Sequence, residues 1–269
     1  KLFQKLILKN PKLIIMVDCG STSIKAINYL NKHNIKSIII DHHEINKPYP
    51  KSNVIINPKK ELIKKEKSLL CATALTYFFL EILIRKTNSN YKISNFLIYV
   101  FLATICDVMP LRKINKIIGR YTIDNFNIRN NLALNHLFQL HNLKKKLTVD
   151  DLGFLVGPII NSGGRLKNSN YGVELLSTDN LNIIKDRSNK LINLNNKRKI
   201  IEKNILDEID FKKIKKENKS VIIYYKDNLN EGLIGIIASR LKDYFNKPAI
   251  VITKSNNKFK ASARSTTTY

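Results

Sequence analysis

Two of the chain's five histidines stand side by side behind an acid, in the stretch IIIDHHE at residues 38–44. Asp41, His42 and His43 there offer carboxylate oxygen and imidazole nitrogen, a donor mix that suits Mn²⁺, Mg²⁺ or Zn²⁺. Two further acids end apolar runs in the same manner: Asp18 after KLIIMV and Asp107 after ATIC. No CxxC pair accompanies them, which argues against a structural zinc site. A divalent ion held by such groups lowers the pKa of bound water and clamps a phosphoryl oxygen. Taken singly, each residue also reads as a helix cap or a satisfied loop residue. The conjunction of an acid, a His-His pair and a second strand-terminal acid favours a metal.

Two small-residue stretches bear on anions. In NSGGR (161–165) the glycines admit close approach of backbone N–H groups, and Arg165 offers a fork for phosphate. A helix C-cap followed by a turn also accounts for Gly163 and Gly164. In ASARS (261–265) hydroxyls flank Arg264 at a strand end, an arrangement that grips a phosphodiester backbone. The run GLIGIIA (232–238) reads as a tightly packed helix start.

The elements that position these groups follow from periodicity. Residues 12–18 read as a buried strand, 21–33 as a helix with Ser21 at its N-cap, and 36–41 as a second strand. This is a βαβ unit, so the strands are expected parallel with a right-handed crossover. Asp18 and Asp41-His42-His43 then meet on the carboxyl edge, where ligands bind in open α/β sheets. A Pro-rich loop (47–51), a short apolar piece (54–56) and a basic stretch (59–67) come next. Helical pattern covers 69–86, 93–106, 114–141 and 149–160, with NSGGR as a loop after the last. Residues 181–209 read as one charged helix of roughly 40 Å, of the kind that bridges domains. Strand, helix, strand and strand at 220–225, 233–245, 249–253 and 259–264 begin a second α/β domain. The expected fold is α/β: a parallel-sheet domain with many helices (1–179), a linking helix (180–212) and a smaller α/β C-terminal domain (213–269).

Composition bounds the partners. With 43% hydrophobic residues the chain can bury a core, which excludes wholesale disorder. A formal net charge of +26 fits a polyanionic partner, because cations that neutralise phosphates release counterions. A chain rich in Lys, Asn and Ile also becomes basic through base composition alone, so charge by itself does not assign function. Cys19, Cys71 and Cys106 form no framework, as expected in a reducing, cytoplasmic compartment. The apolar run 13–17 is too short for a secretory signal, and 69–80 and 96–106 have the length of core helices, not of membrane spans. The lack of an initiator Met and the stop within a strand pattern lead us to expect a fragment.

Together these motifs resemble the DHH phosphoesterase superfamily, and within it the RecJ-type single-strand-specific exonucleases. VDCGSTS (17–23), IIIDHHE (38–44), ATICDVMPL (103–111) and GPIINSGGRL (157–166) look like successive family motifs. EGLIGIIASRLKDYFNKPAIVIT (231–253) with KASARS (260–265) looks like the DHH-associated C-terminal domain. The resemblance implies that Asp18 bridges two Mn²⁺ or Mg²⁺ ions and that His42 and Asp107 ligate one of them. It implies that Asp41 orients His42 and that His43 faces the scissile phosphate. Asn161, Gly163, Gly164, Arg165, Ser262, Arg264 and Ser265 would contact nucleic acid. The family's first motif, an Asp-x-Asp run, would precede Lys1, so the two-metal centre is expected to be incomplete in these residues and the fragment inactive. Asn230 stands where RecJ-type proteins usually carry a His.

The resemblance thus implies a 5′→3′ single-stranded-DNA exonuclease that releases mononucleotides in DNA repair and recombination. It would act as a monomer, with a single-strand-binding protein or a helicase as candidate partner and no membrane. A DHH oligoribonuclease or nucleotide phosphodiesterase, and an inactive DNA-binding scaffold, are the rival readings.

Overall fold

The computed structural model describes residues 2–60, 69–143, 145–166, 168–255 and 257–266. Most of the basic stretch read at 59–67 lies outside these residues. Two compact units divide the chain: residues 1–127 with 147–153, and residues 128–146 with 154–269. This division falls elsewhere than at 179/180.

In the first unit, helix α1 (Leu2–Ile7) precedes a three-stranded parallel sheet. Its strands are β1 (Leu13–Val17), β2 (Lys36–Ile40) and β3 (Val54–Ile56), in that order across the sheet. β-Branched runs favour such strands because they pack well on a pleated surface. Helix α2 (Ile24–Lys32) makes the crossover, and its Ile27 and Leu30 are fully buried with Met16 and Ile39. Burying each such side chain stabilises by about 1.5–3 kcal/mol. α2 starts later than read, with Ser23 at its N-cap, because the Ser21 N–H is committed to Asp41.

Helix α3 (Ala72–Lys86), a 3₁₀ turn (Ser94–Phe96) and helix α4 (Leu97–Cys106) follow. α4 is a core helix with Ile98, Val100 and Phe101 buried. Among the described residues no helix is long and apolar enough to cross a membrane. Asp107 stands at the C-cap of α4, and helix α5 (Lys113–Asn125) begins just beyond. The helical pattern read through 114–141 is broken there. Helix α6 (Leu132–Leu140) starts afresh, with the Asn131 side chain accepting the Leu134 N–H at its N-cap.

The second unit holds α6, α7 (Gly157–Leu166), α8 (Asn170–Leu176) and the 27-residue α9 (Leu181–Asp207). Asn180 caps α9 by accepting from the N–H groups of Asn182 and Ile183. The stretch NSGGR is not a loop but the last turns of α7. Tertiary packing overrides the glycines' preference for turns. Ser162 Oγ donates to the Leu191 carbonyl of α9 at 2.9 Å. A Cβ on Gly163 would lie 2.6 Å from the Asn168 carbonyl oxygen and 3.1 Å from Leu191.

Helix α10 (Phe211–Glu217), strand β4 (Ile222–Tyr225), helix α11 (Ile234–Phe245) and strands β5 (Ala249–Ser255) and β6 (Lys258–Arg264) complete this unit. β5 pairs parallel with β4 and antiparallel with β6. Ile237, Ala238 and Leu241 of α11 share a core with Ala249, Val251 and Ile205, the last from α9. The long helix is therefore continuous with the core of the C-terminal elements.

The start of α11 meets the end of α7 without room to spare. A Cβ on Gly232 would sit 2.2 Å from the Arg165 carbonyl oxygen, whereas one on Gly164 would meet only Ser169, at 3.8 Å. Gly232→Ala should therefore cost about 1–3 kcal/mol through overpacking. Gly164→Ala should be neutral or gain up to about 1 kcal/mol from helix propensity. Urea unfolding of both variants checks this; equal midpoints would show that the two helices separate freely.

Candidate metal centre

The strand ladder runs on into the acids. The Asp18 N–H donates to the Ile40 carbonyl at 2.9 Å, and the Asp41 N–H to the Ile56 carbonyl at 3.0 Å. Three parallel strands thus deliver Asp18, Asp41 and Asn57 to one edge. Asp18 leaves β1 in a left-handed conformation, φ 60°, which aspartate tolerates better than most residues. The chain then turns sharply at Gly20, φ 113°. A Cβ there would press against Ile39 and Met16 at 3.1 Å, so glycine is required on both counts.

Asp41 is 1% exposed and accepts hydrogen bonds on both oxygens. The Ser21 N–H reaches Oδ2 at 3.0 Å. The His42 N–H (2.8 Å), the His43 N–H (3.3 Å) and His43 Nδ1 (2.7 Å) reach Oδ1. Burial alone would raise its pKa, but these bonds from Ser21 and His43 outweigh burial and hold the carboxyl well below its usual range. The same Asp41 bond holds the proton on His43 and raises that imidazole's pKa, against the opposing effect of burial.

This corrects one expected role. Asp41 orients the ring of His43, not that of His42; it meets His42 only at the backbone N–H. The His42 ring turns the other way. Its Nε2 lies 3.3 Å from Asp18 Oδ1 and 3.8 Å from Asp107 Oδ2. The two rings stand edge to face with centroids 4.7 Å apart. One ligand atom each from Asp18, His42 and His43 falls within a mutual 4.8 Å. Burial pushes the Asp107 carboxyl pKa up, and of the charges around it His42 works against burial while Asp18 adds to it. Two carboxylates crowded on one imidazole make a site that a divalent cation would neutralise.

Sequence reasoning missed two residues here. Asn57, 6% exposed, donates from Nδ2 to Ser21 Oγ at 2.8 Å and to the His43 carbonyl at 2.9 Å. Ser21, read as a helix cap, instead bridges Asn57 and Asp41. The available signal was a polar residue directly after a third apolar strand. Cys19, beside Asp18, is exposed.

The remaining candidates all lie in the second unit. Arg165 ends α7 and donates from Nη1 to the Gly232 carbonyl at 3.2 Å. Burial, with the charges of Arg198 and Arg264, pushes its pKa down. Arg264 donates from Nη1 to Ser262 Oγ at 3.2 Å and to the Ala263 carbonyl at 2.8 Å. Both Arg264 and Ser262 lie against Gly235, at 3.1 and 3.3 Å from where its Cβ would be. The start of α11 thus gathers Arg165, Ser262 and Arg264. Asn161, Gly164 and Ser265 are exposed. Gly163 is buried between α7 and α9, so its backbone is closed to a ligand. The Asn230 side chain accepts the Gly232 N–H at 2.9 Å and shapes the turn into α11.

A model of the DHH family's N-terminal domain matches residues 1–105. The single-stranded-DNA-specific exonuclease RecJ of Haemophilus influenzae is 29% identical over 273 residues, covering 96% of this chain and 48% of that protein. The chain thus carries a match to the DHH family's N-terminal domain over residues 1–105 and resembles RecJ-type exonucleases along nearly its whole length. It spans about half the length of these curated relatives. The crystal structure of RecJ from Thermus thermophilus in complex with Mn²⁺ superposes with a TM-score of 0.83 at 22% identity, over 97% of this chain and 39% of that one. An exonuclease RecJ bound to manganese gives 0.79 at 22% identity, over 97% of this chain and 65% of that one. The α/β fold of this chain, with its parallel three-stranded sheet, is the fold of those proteins.

The buried carboxylate makes a prediction separate from activity. Asp41→Ala strands several buried donors and should destabilise by about 2–4 kcal/mol. Glu44→Ala, at an exposed ion pair with Lys59, should change stability by less than about 1 kcal/mol. Denaturant midpoints measure both; a loss at Asp41 no greater than at Glu44 would deny Asp41 its structural role.

Proposed function

We propose that this chain carries the metal-dependent core of an exonuclease that hydrolyses single-stranded DNA from the 5′ end and releases mononucleotides. The observation that carries the reading is His42 Nε2, aimed at carboxylates from two separate elements, Asp18 and Asp107. Relatives named single-stranded-DNA-specific exonucleases and like folds solved with Mn²⁺ or Mg²⁺ support it.

Asp18, His42 and Asp107 are the residues that would hold Mn²⁺ or Mg²⁺. When bound, such a cation polarises a phosphoryl oxygen and acidifies a bound water. His43 has Nδ1 held by Asp41, which leaves Nε2 free to face the phosphate, as a hydrogen-bond donor when the ring is an imidazolium. Asp41 fixes that ring and the turn that carries it through Oδ1, and holds the Ser21 N–H through Oδ2. Arg165, Ser262, Arg264 and Ser265, with Asn161 and Gly164, would hold the sugar–phosphate backbone. Residues 213–269 would act as the nucleic-acid-binding module, and Gly163 supports it by packing. The setting would be DNA repair and recombination in the cytoplasm, by a monomer working with a single-strand-binding protein or a helicase.

Binding and cleavage rest on different groups. Many Lys and Arg contacts share the binding, whereas a few groups stabilise charge at one phosphate. In the full-length protein with Mn²⁺, His43→Ala should slow digestion of a labelled single strand by on the order of 10²-fold or more, with affinity within about threefold of wild type. Asp107→Asn should lose digestion as well. A 5′-end label should be released before a 3′-end label. Digestion at the wild-type rate by His43→Ala would sink the assignment.

A further inference from the structure

We infer that the exposed face of α5 is a track for single-stranded DNA beside the metal centre, with phosphates along one line of the helix and bases on the next. The inference rests on the reading above and adds a surface that none of the candidate residues includes.

α5 buries Asn115, Ile118, Gly119 and Thr122. At 3.6 residues per turn these share one side. The opposite side is exposed and carries two neighbouring lines. Lys113, Lys116 and Arg120 form a cationic line, at a spacing of three and four residues. Ile114, Ile117 and Tyr121 form an apolar line at the same spacing, and they are 37%, 68% and 52% exposed. Exposed charges on a helix are ordinary. Three exposed apolar side chains in register beside them are not, because an apolar stripe normally turns to the core. Asp124 closes the face at its far end.

Position supplies the second reason. α5 begins just beyond Asp107, and it is pinned there. Asn115 Nδ2, buried, donates to the Pro110 carbonyl at 3.1 Å and to the Leu69 carbonyl at 2.7 Å. The Arg112 N–H also donates to the Pro110 carbonyl, at 2.8 Å. These bonds hold the near end of the helix to the turn after Asp107. A helix of 13 residues extends about 20 Å from there.

Occupancy follows from chemistry. A single strand presents a line of negative charge and, beside it, flat apolar base faces. Proteins that bind it without reading sequence offer cations for the first and aromatic or apolar side chains for the second. The two lines on α5 match both, in a chain whose net charge is +26.

The test uses the full-length protein, a fluorescein-labelled oligothymidylate and anisotropy titrations at several salt concentrations, without divalent metal so that no cleavage occurs. Circular dichroism verifies the fold of each variant, all of whose changes are at exposed positions. Lys116→Ser/Arg120→Ser should weaken binding about tenfold at low salt and flatten the salt slope by about 1.4, at roughly 0.7 per phosphate contact. Tyr121→Ala should weaken binding about five- to a hundredfold and leave the slope as it was. Both losses are required. A loss in the charge variant alone is what any surface cation would give, and it overturns the track, as does a loss at Tyr121 alone. Wild-type affinity in both variants overturns it too, and would leave the face to a protein partner. If the unaltered protein binds no oligothymidylate at all, the proposed function itself fails. If it binds and the variants match it, only the track fails.

Discussion

The carboxylate of Asp41 is the constraint on which the rest of the site depends. It is buried at the end of the central strand and receives bonds from the β1–α2 turn on one oxygen and from the His-His turn on the other. Burying a charge is tolerable only when its lone pairs are met, and here they are met by groups from two elements. The consequence is geometric. With both its own N–H and its ring tied to Asp41, His43 is fixed. His42, tied by its N–H alone, must present its ring to the opposite side. There it meets Asp18 from β1 and Asp107 from α4. Asn57 closes the arrangement from β3, holding Ser21 and the His43 carbonyl together. One parallel sheet edge thereby becomes a cluster of three acids, two imidazoles and an amide.

The electrostatics of the two units pull in opposite directions. The chain as a whole is strongly basic, which draws in a polyanion at long range. The sheet edge is the reverse: Asp18 and Asp107 crowd the same imidazole, and burial pushes Asp107 up further. A phosphate would be repelled there unless a cation intervened. In the second unit burial and the charges of Arg198 and Arg264 push the Arg165 pKa down, against the charge of Glu202. The long helix α9 takes part in that balance. Its Glu202, 6% exposed, accepts from Arg198 at 2.9 Å and from Arg240 of α11 at 2.8 Å. On the proposed reading, a divalent cation answers the acids at the one place and a nucleic-acid phosphate the arginines at the other.

Much of this was legible from residue order. The apolar runs ending in Asp18 and Asp41, separated by a helix-length segment, require a βαβ unit, and parallel strands place both ends on one edge. The 27-residue helix α9 was legible as a long, highly charged helical run. Other features depend on contacts that order does not reveal. Adjacent residues in a turn point different ways, so nothing in DHH says which histidine Asp41 would hold. NSGGR has the composition of a loop and is helical because Gly163 lets α7 close on Leu191 and Asn168. The short helices α1, α8 and α10 are too brief for periodicity to separate them from loops. Asn57 and Ser21 acquire their roles only where β3 and the β1–α2 turn come together.

All of this chemistry requires a cation among Asp18, His42 and Asp107. The direct measurement is anomalous scattering from crystals soaked in Mn²⁺, collected at the manganese edge, with Asp107→Asn crystals as the comparison. The predicted result is a peak about 2.0–2.6 Å from an oxygen of Asp18, from His42 Nε2 and from an oxygen of Asp107, lost or much weakened in the variant. A structure in which these three side chains bond only to one another and to water, with manganese bound elsewhere or nowhere, would contradict it.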